Sequence, residues 1–192
     1  ADGEKTAGLL SQTAELLGGA SWGVGILGFV SPEIQQAQLA EVLKAKPPFA
    51  LIAGGRPSQA KTLESEGIAT YLHAPVASLI PRFLEQGARR FVLEGRECGG
   101  HVGPLSSLVL WESAVQAILE NLPRAEKVSV LFAGGIHDAR SAAMVSALSV
   151  PLVEAGVEVG VLMGTSYLFT EEAVATGAIA QGFQQAALAC SG

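Results

Sequence analysis

A regular alternation of short apolar runs with amphipathic stretches constrains this chain more than any other feature. Six apolar runs stand out, at residues 22–29, 49–53, 69–73, 90–93, 128–133 and 158–163. Each has the length of a buried strand and lacks polar alternation, the pattern of a parallel strand covered on both faces. Helix patterns lie between and around them, at 6–17, 32–45, 57–66, 76–86, 107–121, 138–155 and 182–189. Ser31-Pro32-Glu33 reads as an N-cap, a first-turn proline and a first-turn acid. Gly67, Gly87 and Gly156 sit where helices stop.

A βαβα series with short links predicts a parallel sheet with right-handed crossovers, either doubly wound or closed into a barrel. The 192 residues suit one domain, 1–192, with no linker and no low-complexity segment. Six strands are two short of the eight in a closed β/α barrel. The series therefore reads as part of something longer.

Composition removes several classes of function. Hydrophobic residues make up 49% and charged residues 16%, so the chain must bury much of its surface. The net charge is −6 and Arg89-Arg90 is its only basic cluster, which disfavours nucleic acid. No apolar run is long enough for a membrane helix, and the N-terminus lacks the pattern of a signal peptide. Cys98 and Cys190 form no disulfide framework, so a reducing, cytoplasmic compartment is expected.

Ligands of such sheets bind at the carboxyl ends of the strands. After the fourth run comes the loop 94–103, EGRECGGHVG. His101 titrates near neutrality and can donate or accept a proton. Gly99-Gly100 let backbone approach a flat ligand, and Glu94 and Glu97 can orient one. A zinc reading of Cys98 with His101 lacks a second ligand pair. A nucleophile reading of Cys98 needs an orienting group and triad geometry, which nearness in sequence rarely supplies. After the fifth and sixth runs come Gly134-Gly135 and Gly164-Thr165. Two glycine turns on successive strand ends leave N–H groups and a hydroxyl for a phosphate, although either alone reads as a tight turn. His73 ends the third run and faces the same mouth, as a substrate contact or a cap on a neighbouring carbonyl. Arg56 has a place to meet an anion. His137, Trp22 and Trp111 read as structural.

EGRECGGHVG, LFAGGIHDAR and GVLMGTSYLFTEEA, in that order, resemble the nitronate monooxygenase family, formerly 2-nitropropane dioxygenases. The same blocks occur in the related FMN-dependent enoyl-acyl-carrier-protein reductases. The resemblance implies an FMN-binding TIM-type β/α barrel of which the six strands are the third to eighth, the first two lying outside the chain. It implies that Gly134, Gly135, Gly164 and Thr165 hold the FMN phosphate. Glu94, Gly99 and Gly100 would line the cofactor, and His101 would be the catalytic histidine beside the flavin ring. His73 would contact substrate, and no metal is called for. The implied activity is oxidation of a nitronate or similar activated small substrate with O2. Glu94 leans towards the alternative, an enoyl reductase using NAD(P)H on a carrier-bound acyl chain. The blocks also resemble flavin-barrel segments within polyketide or fatty-acid synthase polypeptides. On that footing, a third reading is a non-catalytic structural module. The expected partners are the substrate and further barrel strands, from the same longer polypeptide or a second copy.

Overall fold

The computed structural model describes residues 3–100, 102–123 and 127–190. Six parallel strands stand in chain order, each paired with the next: β1 (Gly23–Leu27), β2 (Phe49–Ala53), β3 (Ala69–His73), β4 (Arg90–Glu94), β5 (Ser129–Ala133) and β6 (Glu158–Leu162). Helices flank and connect them: α1 (Gly3–Leu17), α2 (Pro32–Ala45), α3 (Pro57–Glu64), α4 (Ile80–Glu85), α5 (Ser107–Glu120), α6 (Ala139–Leu148), α7 (Val150–Glu154), α8 (Glu171–Ala175) and α9 (Gln181–Leu188). Strand order equal to chain order is the wall of a β/α barrel, in line with the expected six βα units. Among the described residues, β1 and β6 each pair on one side only.

The core lies between the sheet and its helices. Ile26, Ile52, Leu72, Phe91, Leu93 and Phe132 project from the strands into one cluster with Val42, Leu63, Leu110, Ile118 and Leu152 of the helices. Burying each such side chain contributes about 1.5–3 kcal/mol against exposure. Alternate strand residues face the other way and form the inner wall. There Leu51 stands beside Tyr71, and Val92 beside Leu131. This alternation delivers His73 and Glu94 to the inner face at the carboxyl ends of β3 and β4.

Trp111 of α5 fixes the height of β4. Its indole N–H donates to the Leu93 carbonyl at 3.2 Å, and its ring meets Phe132 edge-on with centroids 5.7 Å apart. The structural reading of this tryptophan holds.

Two expectations change. The helix expected over 138–155 is two helices, because Pro151 has no N–H and cannot continue the ladder of α6. Leu152 N–H bonds to the Ser149 carbonyl instead, and α7 starts there. The helix expected over 76–86 opens as a 3-10 turn, Ala77–Leu79, before α4. Helix α2 stops without a glycine: Lys46 takes the left-handed conformation at φ 47° and its N–H closes onto the Val42 carbonyl. Pro47 and Pro48 follow and bar a further turn.

Candidate functional site

The ends of β4, β5 and β6 enclose a pocket of ≈ 340 Å³. Glu94 and Gly99 line it from the first loop, Gly134 and Gly135 from the second, Gly164 and Thr165 from the third. The structure thus brings together six of the residues singled out in the sequence. Gly100 stands outside this wall, exposed and at φ 90°. His73 lines a neighbouring cavity. His101 lies outside the described residues.

The glycines serve different purposes. Gly134 has φ 118°, and a Cβ there would fall 2.1 Å from the Ser107 hydroxyl oxygen. Packing and backbone both demand glycine. Gly164 has an ordinary φ of −90°, and a Cβ would meet nothing within 4 Å. Gly99 is likewise free of neighbours. Among the described residues neither conformation nor packing requires these two to be glycine, and both line the pocket. None of the turn hydrogen bonds among the described residues uses the N–H of Gly134, Gly135, Gly164 or Thr165. Open glycines, uncommitted N–H groups and a threonine hydroxyl fit the phosphate of an FMN.

The helix behind the second turn adds less than its position suggests. Asp138 caps α6, accepting from the Ser141 N–H at 2.8 Å, so the start of that helix is served from within. His137 Nδ1 lies 2.8 Å from the Gly135 carbonyl, a bond the Nδ1–H tautomer donates, and braces the glycine turn. The Ser166 hydroxyl donates to the His137 carbonyl at 3.3 Å and ties the third loop to the second.

The loop after β4 is anchored at several points. Gly95 N–H donates to Ala133 O at 3.3 Å, and Arg96 N–H to Leu105 O at 2.9 Å. The Glu97 carboxylate accepts from the Ser107 N–H at 2.6 Å and from the Ser107 hydroxyl, so it caps α5. Those bonds hold its pKa below the usual glutamate value. Burial, reinforced by Glu94 and Glu97, pushes the Cys98 thiol up to about 11. A thiol so disposed is a poor nucleophile at neutral pH. Among the described residues no three His, Cys, Asp or Glu side chains are grouped to hold a metal. No described helix is long and apolar enough to cross a membrane.

His73 is only 4% exposed, and its Nε2 lies 3.3 Å from Glu94 Oε2. The contact lacks hydrogen-bond geometry, leaving Nε2 without a hydrogen-bond partner among the described residues. Burial lowers the pKa of the ring, and the Glu94 charge opposes that shift. His73 also lines a cavity of ≈ 600 Å³ with Arg56 and Arg82. His73 lines one cavity and Glu94 the other, so their 3.3 Å contact links the walls of the two.

Ser107, Ser166 and Cys98 complete the site, and sequence reasoning gave the two serines no role in it. Ser107 opens a helix and Ser166 follows a glycine turn, but their partners are set by tertiary approach.

Comparison with known proteins agrees with this architecture. The family model described as nitronate monooxygenase matches residues 13–190. Two curated relatives, from Rhodococcus jostii and Mycobacterium tuberculosis, are each named (3aS,4S,5R,7aS)-5-hydroxy-7a-methyl-1-oxo-octahydro-1H-indene-4-carboxyl-CoA dehydrogenase. They are 28% and 29% identical over 57% and 53% of this chain. The match spans 27% and 25% of their lengths, about a quarter of each. Among solved structures, FabK (M276A) from Thermotoga maritima has a TM-score of 0.76 at 22% identity, covering 99% of this chain and 57% of its own. Nitroalkane oxidase from Streptomyces ansochromogenes has a TM-score of 0.53 at 20% identity, covering 88% of this chain and 47% of its own. These likenesses show the fold, a TIM-type barrel of which this chain forms six units.

Proposed function

Because the chain belongs to the nitronate monooxygenase family, we propose that it is the cofactor-holding part of an FMN-dependent oxidoreductase. On this reading it acts on a nitronate or similar activated small substrate with O2. The observation that carries the proposal is the pocket at the ends of β4, β5 and β6, where Gly99 and Gly164 are glycines that nothing among the described residues requires. Gly134, Gly135, Gly164 and Thr165 would hold the phosphate through N–H groups and a hydroxyl. Glu94, Gly99 and Gly100 would border the ring system. FMN, when bound, would supply the electron transfer. His101 would take or return a proton on the substrate, or polarise it. His73 would contact the substrate beside Glu94. Strands supplied by the same longer polypeptide or a second copy would meet the unpaired edges of β1 and β6. The cysteine usage supports a reducing, cytoplasmic setting.

A second reading is an FMN-dependent enoyl reductase acting on an acyl thioester with NAD(P)H. Glu94 favours it, and so do the curated relatives named as carboxyl-CoA dehydrogenases.

The test is reconstitution with FMN, followed by assays of O2 uptake with a nitronate and of NAD(P)H oxidation with an enoyl thioester. The first reading expects bound flavin and nitronate-dependent O2 uptake, abolished in His101→Ala. Turnover of the enoyl thioester alone would replace it with the second. A colourless protein after reconstitution would sink both and leave a structural module.

A further inference from the structure

We propose that the cavity behind His73 is a subsite for the phosphate-bearing end of the second reactant. This inference rests on the second, enoyl-reductase reading for the identity of that reactant, but not for the binding of the phosphate.

The cavity lies between the carboxyl ends of β2 and β3 and the helices that follow them, and at ≈ 600 Å³ it is larger than the cofactor pocket. Arg56 lines it from the loop before α3, and Arg82 from α4. No acidic residue is among the described residues of its wall. That is unusual for a chain with 18 acidic against 12 basic residues. Neither guanidinium pairs with a carboxylate among the described residues, although Lys44, Lys46, Arg90 and Lys127 all do. Ser58 and Gln86 add neutral donors at the rim. Planar guanidinium groups not engaged by a carboxylate among the described residues are suited to bidentate contact with phosphate oxygens.

Position gives the cavity its use. Its wall includes His73, whose Nε2 is 3.3 Å from Glu94 Oε2, and Glu94 belongs to the cofactor pocket. A reactant reaching over this contact sets its reacting end in the cofactor pocket and its phosphate between the arginines. Phosphate of this kind occurs in coenzyme A or the phosphopantetheine arm of a carrier protein, and at the ribose of NADPH. Distant anchoring of this sort raises the effective concentration of the reacting group.

The test begins with the full chain, 15N-labelled and titrated with inorganic phosphate at constant ionic strength. Saturable amide shifts at Ser58 and Gln86 are expected. Arg56→Gln/Arg82→Gln should weaken binding by about tenfold or more, since charge-assisted bonds are lost. Arg82→Lys should recover part of it, with no change in melting temperature. Shifts that do not saturate, or are equal in the double variant, overturn the proposal. With the holoprotein, KM is then compared for a CoA thioester and its N-acetylcysteamine analogue, and for NADPH and NADH. A rise in the double variant for the CoA thioester alone assigns the acyl carrier, and one for NADPH alone assigns the reductant. Unchanged KM for all four overturns the subsite's role. Phosphate binding in a protein that takes up no FMN would sink the flavin reading and leave the phosphate site standing.

Discussion

His73 Nε2 stands 3.3 Å from Glu94 Oε2 where the walls of two pockets meet, yet shares no hydrogen bond with it. Burial is the larger influence on the ring and lowers its pKa, and the glutamate works against it. Unfolded, the ring takes a proton near the ordinary value of about 6.5. Folded, it takes one only at lower pH. The resulting stability is fully present above the unfolded value and is lost as pH falls from there through the folded value. The 15N shifts of the ring should show neutral imidazole at the ordinary histidine pKa. Melting temperature should fall less steeply with acid in His73→Gln. A ring already protonated at neutral pH would refute this.

Gly134 and Gly164 should respond in opposite ways to alanine. Gly134→Ala places a Cβ against Ser107 at φ 118°, and is expected to cost roughly 1–3 kcal/mol of stability. Gly164→Ala meets no atom within 4 Å and should leave stability within about 0.5 kcal/mol. On the flavin reading it nonetheless weakens FMN binding, because its methyl group occupies ligand space. Denaturant melts and fluorescence titration with FMN separate the two effects. Unaltered FMN affinity in Gly164→Ala would remove that turn from the cradle.

The strands were legible because proline and glycine bound most of the apolar runs; β2 and β3 lie where the pattern places them. The break at Ser149 had a signal in Pro151, but the apolar periodicity continues across it and masks the interruption. The turn at Gly134-Gly135 could be read because backbone at φ 118° and 74° limits the residue type. The contact of Ser107 with Gly134 could not, since it exists only when α5 and β5 have packed together. Nor could the cavity that Arg56 and Arg82 both line, because they are separated in sequence and come together only in the folded chain.

The bond between Glu97 and the start of α5 predicts an acid-sensitive helix. Glu97 accepts from Ser107 twice, and its pKa is lowered accordingly. Its contribution is complete above the ordinary glutamate value and is lost as pH falls through the lowered folded value. Glu97→Ala should cost about 1 kcal/mol at neutral pH and much less in acid. Equal losses at both pH values, in urea melts, would show that the carboxylate is not the capping group.

Cys98, with its thiol near 11, should resist alkylation at pH 8, where roughly 0.1% is thiolate. Cys190 is exposed and should label first with iodoacetamide, as read by peptide mass mapping. Labelling of Cys98 at the rate of Cys190 would contradict the raised pKa.

The hydroxyl of Ser166, bonded to the carbonyl of His137, bears on the kinetics of capture. On the flavin reading, loops already joined have less closing motion to make when FMN arrives, so encounter and desolvation are expected to set the association rate. What departs leaves the shape behind, ready for the next encounter. On that reading Ser166→Ala is expected to slow association more than release.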